Sequence, residues 1–323
     1  MFRREGSHIL QNFLYSLRAT VPVFAVMVLG WVLRRIGFLS EGFIKEANKL
    51  VFKVALPCSL FLEIAEMDSR QLLNGRFVLF SAAATLISIL GIWFLTRKLL
   101  HDRTLTGSFV QGAYRSSAAI LGSALITNVY GDAGYAPLMI LASVPLYNIF
   151  AVLILTLEAG GSVRESGHLR RAALNVCKNP ILLGILAGFP FALLRIRLPV
   201  ILTKAVSSVG SLATPLALLA IGAGFVWEDA LKKAAPTVTA SFIKLVLLPA
   251  LFLPPAVLLG FRNEQLMAVL IMLGAPSTAT GYIMAKQMGN DGTLANGIVV
   301  LTTVFAAVTI TGWIFLLRSF SLL

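Results

Sequence analysis

The chain has 323 residues, of which 58% are hydrophobic and 13% charged, with a formal net charge of +13. Soluble domains carry about 25% charged residues, so most of this chain is excluded from facing water. Its basic residues lie between apolar runs, where they read as topology determinants and headgroup anchors. No basic patch interleaved with aromatics marks a nucleic-acid surface.

A hydrocarbon core of about 30 Å takes roughly 20 apolar residues per helix. In chain order the pattern predicts ten spans: 17–37, 44–65, 77–99, 107–130, 134–157, 179–196, 199–226, 236–259, 264–288 and 293–317. The first follows Arg3 and Arg4 as a signal peptide would. No small-residue cleavage site follows and many more apolar runs do, so a membrane helix is expected. Connections are short except 159–178, which carries Arg164, Arg170, Arg171 and Lys178 and divides the chain into 1–158 and 179–323. Loops on the connector's side of the membrane hold somewhat more Lys and Arg than the opposite loops. This predicts a cytoplasmic connector and both termini outside the cell membrane.

The halves match at one ungapped offset of 158 residues. Pro22 answers to Pro180, Gly30 to Gly188, Pro57 to Pro215, and Gly131 and Gly134 to Gly289 and Gly292. Five spans is an odd number, so a second copy enters the membrane from the opposite side. The expected fold is therefore an all-α polytopic membrane protein of two inverted five-helix repeats. Secondary transporters use that plan, holding substrate near the midplane at broken helices.

The fourth and ninth spans are the expected broken, crossing helices. Each has a mid-span cluster of small and hydroxyl residues, around Ser116 and Ser117 in one and Ser277, Thr278 and Thr280 in the other. Pro276 predicts a break in the ninth; the fourth has glycine and serine but no proline. Freed backbone amides at a helix N-terminus suit a carboxylate, whereas small residues alone also serve close helix packing. Arg115 lies inside the fourth span, where a cation is costly. It either attracts an anion, pairs with carbonyls or snorkels. Lys53 carries the same ambiguity, Lys286 ends the ninth span with the interface as its plainer reading, and Lys244 falls inside the eighth span with headgroup packing left open. Tyr147 and Asn148 in the fifth span are hydrogen-bonding candidates for substrate or for a neighbouring helix. Glu63 and Glu66 are expected at the interface, leaving the core of spans 4, 5 and 9 without an acid.

Cys58 and Cys177 suggest neither a metal site nor a disulfide framework. His8, His101 and His168 fall outside the spans, and no nucleophile–His–acid set lies within one. No enzyme, cofactor or metal is expected.

These motifs resemble the auxin efflux carrier family, whose members include the plant PIN-FORMED carriers and small bacterial permeases. The second span runs Asn48-Lys49-Leu50-Val51-Phe52 to Leu56-Pro57. The fourth has Arg115-Ser116, Gly122 and Tyr130-Gly131, and the ninth has Pro276 and Ala285-Lys286 at the family's spacing. The family's fourth-span asparagine falls at Ser117 and its following proline at Ala124, so auxin specificity is not implied. The resemblance implies a scaffold of spans 1, 2, 6 and 7, with spans 3–5 and 8–10 moving elevator-fashion. It also implies efflux or exchange of a small organic anion, a mono- or dicarboxylate of the malate or malonate type. The candidate binding residues are Cys58, Ser59, Arg115, Ser116, Ser117, Ala118, Tyr147, Asn148, Thr214, Pro276, Ser277, Thr278 and Thr280. Partners are the anion and membrane lipids. A homodimer is common among the related carriers, but nothing in the sequence displays a dimer face. A sodium- or proton-coupled symporter or antiporter, or a non-transporting sensor, stands as the alternative.

Overall fold

The computed structural model describes residues 21–66, 75–118, 126–127, 130, 134–159, 176 and 178–323. Cys177 and most of the basic connector lie outside them. The described residues form helices and connections, with no strand among them.

Helix α1 covers 21–35. Helix α2 (Glu41–Leu50) is capped by Ser40, whose hydroxyl accepts from the Phe43 amide at 3.1 Å. It passes through a π-helical turn (Val51–Ala55) into α3 (Leu56–Ala65). The turn has a local cause. Pro57 has no amide to give, so the ladder widens just before it, and the Leu56 amide donates to Val51. Helix α4 (Gly75–Leu99) precedes the short α5 (Thr106–Tyr114), and α6 spans Ala136–Glu158.

Helix α7 (Pro180–Leu194) starts with proline at its first turn and Asn179 as its cap. Next come α8 (Val200–Gly210), α9 (Ala213–Ala223) and the short α10 (Trp227–Lys232). Helix α11 (Ala234–Phe242) continues through a second π-helical turn (Ile243–Leu247), again just before a proline, into α12 (Leu248–Leu258). Helices α13 (Asn263–Gly274) and α14 (Ala279–Gln287) flank an interruption, and α15 (Gly292–Ser319) closes the described chain.

Six stretches among the described residues are long and apolar enough to cross a bilayer: Gly75–Leu99, Ala136–Glu158, Val200–Ala223, Ala234–Leu258, Asn263–Gln287 and Gly292–Ser319. The sequence predicts ten, and the difference has physical causes. Helix α1 is described only from residue 21. The second predicted span carries Lys45, Glu46, Lys49, Lys53 and Glu63. The fourth is interrupted at Arg115, and α7 has only 15 residues.

Burial sorts the six. The most apolar window of Asn263–Gln287 is 89% buried, against 33% for Gly75–Leu99. The interrupted pair α13–α14 is thus enclosed by protein, while α4 keeps an apolar outer face, as a lipid-exposed helix does. Two apolar cores result. One joins α4, α5, α6, α11, α12, α13 and α15. The other joins α1, α2, α3, α7 and α9 with parts of α6, α14 and α15.

Connections gather at two ends. At one, Arg97 pairs with the buried Glu158 at 2.8 Å, and Lys233 pairs with Asp291. At the other, the Asn263 amide donates to the Leu322 carbonyl at 3.0 Å.

Candidate functional site

The two interruptions meet. Helix α5 ends at Tyr114, Arg115 turns extended, and the Ser117 amide donates to the Pro276 carbonyl at 2.9 Å. Pro276 explains one break. It cannot donate to the Met272 carbonyl four residues back, and it forces Ala275 into an extended conformation with ψ near 154°. The other break has no proline. Its amide is drawn out of the helix by the partner segment.

A helix end buried in apolar surroundings needs donors for its last carbonyls. Side chains supply them at the end of α13. The Ser116 hydroxyl donates to the Ile271 carbonyl at 3.2 Å, the Tyr147 hydroxyl to that of Met272 at 3.0 Å, and Lys244 Nζ to that of Leu273. Lys244 is fully buried, which rules out the headgroup packing that the sequence leaves open. Its Nζ donor meets one of the last carbonyls of α13, which the helix itself leaves without a donor.

Across the gap, Thr278 caps α14, accepting from the Gly281 amide at 3.2 Å. The same hydroxyl oxygen accepts from Arg115 Nε at 2.7 Å. Arg115 Nη2 donates to Asn148 Oδ1 at 2.7 Å and to Thr280 Oγ1 at 3.4 Å. Asn148 is itself anchored, its amide donating to the Val144 carbonyl at 3.0 Å. Arg115 is 5% exposed, and its Nη1 has no hydrogen-bond partner among the described residues. No carboxylate there lies in ion-pair contact with it. A buried guanidinium is thus held open by neutral oxygens.

It opens onto a cavity of about 310 Å³, lined among others by Ser59, Glu63, Arg115, Ser116, Ser117, Asn148 and Thr214. Tyr147, Thr278 and Thr280 also line it. An adjoining cavity of about 100 Å³ shares Ser117, Thr214, Thr278 and Thr280 and adds Pro276 and Ser277. Eleven of the sequence's candidates therefore line one or other of these two adjoining cavities. Two do not: Ala118 is fully buried, and Cys58 is a half-buried free thiol that lines neither cavity. Tyr147 contributes its ring, because its hydroxyl is taken by Met272. Glu63 was expected at the interface but lines the larger cavity. Its place one and a half turns beyond Pro57 was the available signal. Lys286 donates to the Tyr282 hydroxyl at 3.1 Å, outside the cavity linings.

A separate cavity of about 660 Å³ lies between α4 and α11–α12 and is walled by Ile87, Leu95, Ile243, Leu251 and Phe252. It lacks charged groups and suits acyl chains better than a polar solute. No group of three or more potential metal-ligating His, Cys, Asp or Glu occurs among the described residues.

A family profile described as "Membrane transport protein" matches residues 15–314. The chain is 24% identical over 311 residues to a Rhizobium meliloti (strain 1021) protein named "Putative malonate transporter", covering 93% of this chain and 95% of that protein. It is 24% identical over 316 residues to "Uncharacterized transporter YfdV" of Escherichia coli (strain K12), covering 92% and 96%. It is 21% identical over 306 residues to an "Uncharacterized transporter" of Methanothermobacter thermautotrophicus, covering 93% and 98%. A match across nearly the whole chain leaves no room for a separate enzymatic domain within it. The chain belongs to the membrane transport protein family, that of the auxin efflux carriers, and is a multi-pass membrane transporter rather than an enzyme.

Proposed function

We propose that this protein is a secondary carrier of a small organic anion, a mono- or dicarboxylate, working by elevator-type alternating access. The observation that carries the reading is Arg115, a buried guanidinium with neutral partners and a free nitrogen beside the cavity. A carboxylate is the planar, bidentate partner such a group takes. The hydroxyls of Ser59, Ser117 and Thr214 would complete its shell, and the N-terminus of α14 adds a positive dipole end. A volume of about 310 Å³ lies at the small end of ligand pockets, roughly 300–1,000 Å³. The name of the Rhizobium relative agrees in chemical class.

The same proposal includes ten spans in two inverted repeats, 1–158 and 179–323. Helix bounds support it: 21–35 recurs as Pro180–Leu194, Gly75–Leu99 as Ala234–Leu258, and Ala136–Glu158 as Gly292–Ser319, all near the 158-residue offset. A pair of contacts supports it further. A Cβ on Gly30 would lie 2.3 Å from the Leu219 carbonyl oxygen, and one on Gly188 would lie 2.7 Å from that of Phe61. Both glycines and both partners are 158 positions apart, so the same contact is made twice with the halves exchanged. The two apolar cores correspond broadly to the proposed scaffold and moving unit.

Sodium coupling is the weaker alternative. The α13 carbonyls that could cage a cation already accept from Ser116, Tyr147 and Lys244. The test is uptake of radiolabelled malonate, malate and acetate into proteoliposomes. Saturable flux of at least one is expected; none with any of them would overturn the reading.

A further inference from the structure

Among the described residues, Glu63 is the one acidic side chain lining either of the two adjoining cavities. It is half-buried and has no hydrogen-bond or ion-pair partner among the described residues. An intramembrane carboxylate without a partner is costly, and it marks function more often than structure. The groups around it are few. On its own segment, Lys53 and Glu66 are exposed and Cys58 is a neutral thiol. Helix α7, packed along α3, carries no titratable residue, and the exposed Arg195 follows its end. Helix α8 carries only the exposed Lys204, and α9 carries none. Tyr147 shares the cavity, but its hydroxyl is bound to Met272. Among the described residues, Arg115 is therefore the charge that bears on Glu63 across the cavity.

The charge balance sets what can enter. Empty, the cavity holds one cation and one carboxylate and is close to neutral. A bound monocarboxylate would make it net negative, and a dicarboxylate more so, in a setting where like charges are poorly screened. One proton on Glu63 removes that repulsion. It also turns an acceptor into an O–H donor for the incoming carboxylate.

We propose that Glu63 takes up a proton as the anion binds, so that the site loads one anion and one proton together. This deepens the anion-carrier reading and rests on it. The proton comes from solvent on the loading side, sits on the carboxylate while Arg115 holds the anion, and returns to solvent when the anion leaves. Linkage fixes the sign. Affinity is highest where Glu63 is already protonated and falls as pH rises through its titration, by roughly tenfold per pH unit.

The test is calorimetric binding of malonate, with malate and acetate in parallel, to purified wild type and Glu63→Gln between about pH 7 and pH 9. These ligands are ionised there and bring no proton of their own. In wild type, affinity should fall roughly tenfold per pH unit. Runs in buffers of different ionisation heat should show uptake of about one proton per anion. Glu63→Gln should bind equally well at both ends of the range, with no proton uptake. Wild-type binding without proton uptake, or a Glu63→Gln variant that keeps the pH slope, would overturn the proposal and leave the anion site standing. The proton count needs only the wild type, so a variant that fails to fold does not block it. Failure of the wild type to bind any of the three at any pH would instead overturn the anion-site reading.

Discussion

Arg115 combines two demands that conflict in most membrane helices. Its charge must be kept inside the protein, yet no carboxylate among the described residues lies in ion-pair contact with it to neutralise it there. Three neutral oxygens, from Thr278, Asn148 and Thr280, orient the guanidinium without quenching it. Such an arrangement leaves most of the charge for a ligand. Charge-assisted hydrogen bonds contribute about 1.5–3 kcal/mol, or roughly 10- to 100-fold in affinity. Arg115→Gln is therefore expected to weaken malonate binding by about that factor while the protein remains folded, as read by calorimetry beside a melting curve. Unchanged affinity would move the anion away from this residue. Asn148 was legible in the sequence as a polar group in the fifth span, but whether it serves substrate or a neighbouring helix was not. It serves Arg115, and only the packing of α6 against the interruption decides that.

At the scale of elements, the interruptions show how far proline alone carries a prediction. Pro276 breaks the ninth span by removing a donor, a local effect readable from one residue. The break at Arg115 has no such cause. The Ser117 amide leaves its helix because the Pro276 carbonyl, 159 residues away in sequence, offers a better-placed acceptor. Glycines matter where helices touch by backbone. Because Gly30 and Gly188 make the same contact in exchanged halves, Gly30→Val and Gly188→Val should have similar effects. Each side chain would meet a carbonyl oxygen rather than a movable side-chain tip, at a cost of about 1–3 kcal/mol or more. Thermal unfolding in detergent should show comparable drops for the two. A drop for one and tolerance of the other would count against the proposed repeat symmetry.

For the molecule as a whole, the positions of Lys244 and Glu63 bear on what drives transport. Lys244 places its amino group on the carbonyl end of α13, where a coupling sodium ion would otherwise find oxygens. Malonate flux in proteoliposomes is therefore expected to be the same in sodium, potassium or choline medium. A clear stimulation by sodium would contradict this. If Glu63 takes up the proton that accompanies the anion, acidifying the side from which malonate enters should accelerate that flux, and Glu63→Gln should abolish the acceleration.

The sequence by itself determined the apolar helical character, the interruption at Pro276 and the family. Each of these depends on composition, on one residue's covalent chemistry or on motifs contiguous in the chain. It also marked most residues of the cavity, because small and hydroxyl side chains are conspicuous in an apolar span. Tertiary structure decided the rest. It buried Lys244 on a carbonyl, tied Tyr147 to α13, placed Glu63 on the cavity that Arg115 also lines and ended α5 without a proline. The physical reason is common to all four. Each side chain or amide finds its place through a partner far away in sequence, and the energy that fixes it exists only once the helices have packed.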